Sequence, residues 1–401
     1  MNRLTTVALF SIFILLSFSP HHRADAEGFK LQQTLFDGVN GVDGLDNPRQ
    51  VRVSPDGSYV WVTSADDNSI LILELDEFLT PIQIFKSKKS LDSETELKLE
   101  GATGLALLNG GTTAVVASFY DSALSSFKQD DQSRFIPSEI ITDNLGYELV
   151  FKRDKSLNDV DDLGILGAWG VSVSSDEQQL FVASYKSDAI SVFDIKINSQ
   201  LTFNSKINSK DLSPYMLGKP VSVVYSQANN ELVVAGFEGN VLNIFSQDEH
   251  GKFTHKQMIN NSENTQNLLV NPQYLALSSD SRFIYVACSG SSAVLVFKRT
   301  NEGYVFMQSI TQSETHGSGL GGVATLALSS DGSNLYAAGE FDKGVLQFKI
   351  SDDGSLDFEE KIHVEANEIE GVTSIALSED GKHMLLSLGK KDALYLLKKN
   401  E

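Results

Sequence analysis

Nucleophilic and metal chemistry rest on imidazoles and thiolates, and this 401-residue chain carries seven histidines and one cysteine. A Ser-His-Asp or Cys-His site, or a three-histidine zinc, needs such groups to converge. Their spacing does not bring them together. His21 and His22 lie in an N-terminal leader, His255 and His363 in short alternating segments, and His250 and His383 in turns. His316 alone stands beside a Gly-rich loop, as a candidate for a mobile acid or base. That loop, residues 317–322, matches G-x-G-x-x-G, yet it leads into a strand pattern, so no helix N-terminus is available to cradle a phosphate. Carboxylates and guanidinium groups remain. Glu238, Glu340 and Arg49 join His316 as the candidate catalytic residues. Asp159, Asp161 and Asp162, with Asp154 and Asn158, alternate acidic oxygens that could wrap a calcium ion, although the run lacks the central Gly and closing Glu of the twelve-residue calcium loop. Apart from that calcium ion, no cofactor is evident.

These residues need a scaffold, and the scaffold is a repeat. VSPDGSYVWVTSADDNSILIL at 53–73 recurs in altered form down the chain, and its turn column reads Asp56, Gly110, Asp176, Ala228, Asp280, Asp331 and Asp380. The spacing is roughly 50 residues, the period of one propeller blade, with one long insertion at about 142–168. Each copy starts with an inner strand such as VRV at 51–53 or LAL at 326–328, then a polar turn, a second strand, a second turn and a third strand. Phe127, Phe193, Phe245, Phe297 and Phe348 share one slot of the third strands, as stacked sheets require. A weaker outer strand follows, for example LTFNSKI at 201–207, and Pro81 in its first copy marks an outer edge.

The last copy has three strands, and its missing fourth is found at the other end, where FKLQQTL at 29–35 matches YVFMQSI at 304–310. The reading is therefore an all-β, seven-bladed β-propeller, closed by an N-terminal strand that completes the C-terminal blade and leaves no open edge. Small residues on the second face of the inner strands, Gly104, Gly170, Ser172, Ala276 and Ala327 among them, fit blades that converge on an axis. Arg52, Gln50 and Tyr274 break that pattern, and Arg52 needs a carboxylate, a water-filled channel or a ligand.

In such a ring the loops leading into the inner strands and those between second and third strands gather on one face, the default place for a site. The column one step before the inner strands reads Arg49, Thr103, Trp169, Val221, Gln273, Ala324 and Thr373. Trp169 stands out in it, as an aromatic able to stack on a sugar, an aromatic ligand or a partner's side chain, or else to plug the channel. Tyr120, Tyr185, Lys186 and Asp66 in the other loops join Trp169, Arg49 and Arg52 as candidate binding residues. Asn68, Ser122, Asp188, Asn240, Ser292 and Asp392, at the start of the third strands, read as turn caps.

Residues 1–26 carry Arg3, an apolar run from Val7 to Phe18 and Ala24-Asp25-Ala26, the pattern of a secretory signal peptide before a single domain at 27–401. The expectation is an exported protein, periplasmic or extracellular, with no transmembrane segment in the mature chain. Cys288 excludes an internal disulfide, and its slot holds Ser or Gly in other copies, so small size explains it. A formal net charge of −21 argues against nucleic acid and anionic membranes as partners.

Blocks such as VSPDGSYVWVTSADDNSILIL, VSSDEQQLFVASYKSDAISVFDI and LSSDGSNLYAAGEFDKGVLQFKI resemble the lactonase-type seven-bladed propellers, the 6-phosphogluconolactonase and muconate-lactonising group, and the related YVTN surface-protein repeats. WD-repeat proteins are less similar, because no Trp-Asp dipeptide ends the third strands. The resemblance implies a His at the start of an inner strand, in a His-x-Val-x-x-Ser-Pro-Asp context, and the matching position in WGVSVSSD is Trp169. Two functions follow as expectations. One is an exported binding module that takes a protein, glycan or small molecule at its mouth. The alternative is a lactone hydrolase that uses mouth carboxylates and arginines.

Overall fold

The computed structural model describes residues 28–87, 96–143, 161–317, 319–363 and 369–400. They form seven four-stranded antiparallel sheets, six of them simple up-and-down meanders of consecutive strands. Every innermost strand contacts the innermost strands of both neighbours, the last blade touching the first, so the sheets close into a ring. Blade 1 comprises Pro48–Val53, Tyr59–Ser64, Ser69–Leu75 and Leu79–Lys86, and blades 2 to 6 repeat this order. Blade 7 takes Val372–Leu377, His383–Leu388 and Ala393–Lys399 from the C-terminal end and Phe29–Phe36 from the N-terminal end.

Ring closure has two parts. Phe29–Phe36 pairs antiparallel with Ala393–Lys399 from Phe29 opposite Lys399 to Phe36 opposite Ala393. A side chain adds a second tie, because Asp392 Oδ1 accepts a hydrogen bond from the Asn47 amide of blade 1 at 3.0 Å. The same link recurs around the ring. Asn68, Ser122, Asp188, Asn240 and Ser292 all sit at positive φ, and each accepts from a backbone N–H in the loop that leads into the next blade. These turn caps therefore also join consecutive blades.

The turns on the opposite face are built from Ser-x-Asp pairs. Ser54, Ser174, Ser329 and Ser378 donate to Asp56, Asp176, Asp331 and Asp380 at 2.5–2.6 Å. The phenylalanine column is buried between sheets, with Phe127, Phe193, Phe297 and Phe348 all at 0% exposure. At two inner-strand glycines the neighbouring blade leaves no room for a side chain. A Cβ on Gly104 would lie 2.5 Å from the Trp169 carbonyl oxygen, and one on Gly170 would lie 2.4 Å from that of Val221. Among the described residues no helix is long and apolar enough to cross a membrane. The leader at 1–26, most of the 142–168 insertion and Asp159 lie outside the described residues.

Candidate functional site at the propeller mouth

Each inner strand carries a β-bulge near its start, and the bulge falls on the column singled out above. Pairing with the second strand skips Arg49, Trp169, Val221, Gln273, Ala324 and Thr373, and in blade 2 it skips Thr103 together with Gly104. The column is thus part of the strands instead of preceding them. An extra residue in one strand re-aims its side chain away from the sheet. The outcome is a ring of seven, since all these bulged residues line the cavity at the top of the central channel. Blade geometry fixes the backbone here and leaves the side chain open to choice.

Above that ring lies a mouth pocket of about 390 Å³, lined by Arg49, Trp169, Val221 and Gln273 from the ring and by residues of the loops after the second strands. Tyr185, Phe237 and Phe341 supply aromatic walls together with Trp169. Arg49 reaches from blade 1 to blade 6, with Nη2 at 3.6 Å from Glu340 Oε1 and the guanidinium 5.8 Å from the centre of the Trp169 ring. Both partners of this pair are about four-fifths buried, at 21% and 24% side-chain exposure. Phe119 stands edge-on to Trp169 at 5.4 Å, so the indole is held from behind. Tyr185 donates its hydroxyl to Glu238, and Lys186 lies 4.9 Å from the Tyr185 ring. Phe341, at 71% exposure, forms an outer lip with Lys390 at 4.4 Å above its ring.

Trp169, Arg49, Tyr185 and Glu340 therefore share one pocket, and Glu238 joins it through Tyr185. Tyr120 stacks edge-on with Phe119 at 5.3 Å, one step outside the lining, and Lys186 flanks the same aromatic group. Arg52 points into the channel below, and Asp66 is exposed away from the pocket. His316 is not part of the pocket. Its ring stands edge-on at 5.5 Å to Phe358 in the outer strand of blade 6. The Gly-rich loop beside it is already occupied by a carboxylate, since Asp342 accepts from the amides of Gly319 and Gly321. Burial pushes the Asp342 carboxyl up, but the amides of Gly319, Lys343 and Gly321 outweigh it and hold the group below its usual range.

Of the acidic insertion, Asp161 and Asp162 are described. Asp161 accepts from Ser187 at 2.8 Å, and Lys206 caps the backbone carbonyls of both residues. Burial, then the Asp143 charge, push the Asp161 carboxyl up against the Ser187 hydrogen bond. Asp143 itself is taken by the amides of Leu163 and Ile165 at 2.9 and 3.1 Å. Among the described residues one other acidic group could hold a cation, Asp37, Asp43 and Asp67 with oxygens within 4.8 Å of one another. Lys86 fills that role, with Nζ at 2.7 Å from Asp43 and 2.6 Å from Asp67.

A family model for the seven-bladed β-propeller lactonases matches residues 152–401. The chain belongs to this lactonase family. Blades 1 and 2 lie before the matched stretch and are built to the same plan. Solved structures of similar fold include a candidate 6-phosphogluconolactonase from Bacteroides uniformis, with TM-score 0.59 and 17% identity over 83% of this chain and 88% of that one. A candidate 6-phosphogluconolactonase from Bacteroides fragilis gives TM-score 0.58 and 14% identity over 88% and 90% of the two chains. A protein from Lactobacillus plantarum gives TM-score 0.61 and 14% identity over 80% and 86%. No curated protein matches the chain in sequence.

Within this lactonase-family propeller, sequence reasoning missed Phe237, Phe341, Gln273 and Asn271 as pocket residues. A signal for the first was present. The residue after each second strand reads Ala65, Phe119, Tyr185, Phe237, Ser289, Glu340 and Gly389, and aromatics fill it in three consecutive blades. A loop built for turn chemistry alone has no use for three such rings.

Proposed function

We propose that the mouth pocket binds a small cyclic ligand, a sugar-like or lactone ring, stacked on Trp169 and oriented by the Arg49–Glu340 pair. The observation that carries this reading is the shape and chemistry of the 390 Å³ pocket, with aromatic walls and one ion pair converging on it. That size suits a ring of modest bulk, and few convergent polar groups in an aromatic pocket are the mark of a ligand site. Among the described residues no imidazole lines the pocket, so binding is the first reading. Export through the 1–26 leader belongs to the same proposal, and N-terminal sequencing of the exported protein should begin at Glu27.

A second reading, lactone hydrolysis, is favoured by family membership and by the length of the ion pair. At 3.6 Å the two groups make no direct hydrogen bond, so Glu340 is available to a water and Arg49 to a carbonyl oxygen. Glu340 would take the proton of a water whose oxygen attacks the carbonyl carbon, with Arg49 beside the developing oxyanion. The ring C–O bond then breaks, and protonated Glu340 returns its proton to the leaving alkoxide.

Titration with a panel of sugar and aliphatic lactones and their open acids, with and without calcium, reading binding and turnover together, tests both. Trp169→Ala should weaken binding roughly tenfold or more, as loss of a central aromatic anchor does, and His316→Ala should change neither readout. Saturable binding without turnover supports the binding reading, whereas turnover lost in Glu340→Gln supports hydrolysis. Absence of binding by every ring in the panel refutes both.

A further inference from the structure

The bulge ring and the inner-strand residues that follow it enclose a cavity of about 170 Å³, and its lining runs against the character of the chain. The sequence has 53 acidic and 32 basic residues, yet among the described residues lining this cavity there are two arginines and no carboxylate. Arg49 has Glu340 as its counter-charge, at 3.6 Å. Among the described residues Arg52 meets no acid. Its Nη1 donates to the Val51 carbonyl at 3.1 Å and its Nη2 to the Tyr274 hydroxyl at 3.2 Å, leaving donors over in a half-buried place. A guanidinium without a counter-charge is costly at such depth unless an anion or ordered water serves it.

The neighbouring groups also present donors. Gln50 lines the cavity and has its Oε1 held by the Leu105 amide, so its amide nitrogen remains as a donor. Tyr274 accepts from Arg52, so its own proton is available to another acceptor. Ser222 likewise accepts from the Leu275 amide. Ser374, at 2% exposure, lines the cavity and buries a hydroxyl with no hydrogen-bond partner among the described residues. Buried hydroxyls are rarely left so.

We infer that the upper channel is a binding site for one small oxyanion, a carboxylate or a phosphate, held by Arg52 with Tyr274, Gln50 and Ser374. Planar guanidinium forks match such oxygens, and a cavity of this size admits a small ion and excludes a bulky one. The anion is either a free inorganic ion or the acid group of a molecule whose ring sits in the mouth above. The two cavities share Arg49, Trp169, Val221 and Gln273 at the ring, but Arg52, Tyr274, Gln50 and Ser374 line only this one, so variants at those four read the anion separately from the ring proposed above.

Calorimetric titration of the intact chain with sodium phosphate, and separately with sodium acetate, at an ionic strength held by sodium HEPES, tests the site. The expected result is saturable one-site binding of at least one of the two ions. Arg52→Gln should weaken it roughly tenfold or more, the scale of a lost charge-assisted hydrogen bond, while Arg52→Lys, which keeps the charge and loses the fork, should weaken it less. Ser374→Ala should weaken it severalfold, and Arg134→Gln, a change at an exposed arginine paired with Asp130, should leave it unchanged. A sugar acid or sugar phosphate that displaces the ion, and does so less well in Trp169→Ala, identifies the acid group of a larger ligand, and an ion that no such ligand displaces is a free one. No saturable binding in the wild type, or equal affinity in Arg52→Gln, overturns the inference. If Arg52→Gln does not fold, unchanged affinity in Ser374→Ala overturns it instead.

Discussion

Removing one ring from the closing strand should loosen the propeller measurably. Phe29 is 7% exposed, pairs with Lys399 across the closing ladder, and stands edge-on to Tyr336 of blade 6 at 5.9 Å and 84°. Its ring thus touches a neighbouring blade as well as completing its own. Phe→Ala in a core removes about 3–5 kcal/mol, and a position at a strand end, where neighbours relax into the gap, belongs at about 3 kcal/mol. An unfolding entropy of about 2 cal/mol/K per residue over a domain of this length converts that into a Tm about 4 °C lower. Phe341→Ala is the matched control, because its ring is 71% exposed and its removal should shift Tm by less than about 1 °C. A double-mutant cycle between Phe29→Ala and Tyr336→Ala, read by calorimetry or denaturant melting, should return a coupling of about 1 kcal/mol for the edge-to-face pair. Phe29→Ala melting with the wild type, or a coupling of zero, would refute this account of closure.

The buried ion cluster between blades 4 and 5 gives a pH-dependent test. Glu231 is 2% exposed and accepts from Arg299 Nε at 3.0 Å and from Lys256 Nζ at 2.6 Å. Burial pushes its carboxyl up, but the hydrogen bonds and charges of Arg299 and Lys256 outweigh that and hold it below the usual value. A carboxylate lowered in the folded state binds more protons when unfolded, so its contribution is full above the unfolded value of about 4.3 and fades as pH falls through the folded one. Glu231→Gln should therefore cost about 2 kcal/mol at neutral pH, a buried-pair loss reduced because both cations reach solvent, and the gap to wild type should shrink below about pH 5. A gap that widens toward acid pH contradicts the argument. Cys288 is 0% exposed, and burial pushes its thiol far up. It should not react with a thiol reagent in the native state and should react once denaturant unfolds the chain, and rapid native labelling would show that its surroundings open.

Much of the scaffold was legible because its signals are local and repeated. Period-2 alternation, Ser-x-Asp turns and the phenylalanine slot each recur blade after blade, so one ambiguous copy is corrected by the others. The split last blade was readable for the same reason, since FKLQQTL fills a vacancy that six other copies define. His316 shows where such reasoning stops. Its loop belongs to the mouth face, but distance from the axis separates it from Arg49, and its ring meets Phe358 instead. The turn caps show a second limit. Asn68 and its counterparts were recognisable as caps, whereas their bonds to the following blade depend on how neighbouring sheets are set against each other.

The sequence by itself determined seven blades, their order, the shared closing blade and the face on which loops gather, because strand period and turn chemistry act over a few residues. Tertiary structure alone decided which side chains meet. Arg49 of blade 1 and Glu340 of blade 6 stand far apart in the chain and become neighbours when the ring closes. The bulges that turn one residue per blade toward the axis carry no residue signature of their own, since Arg, Thr, Trp, Val, Gln and Ala all occupy them. A bulge is a property of pairing between two strands, and chemistry at the axis is a property of seven of them held in one circle.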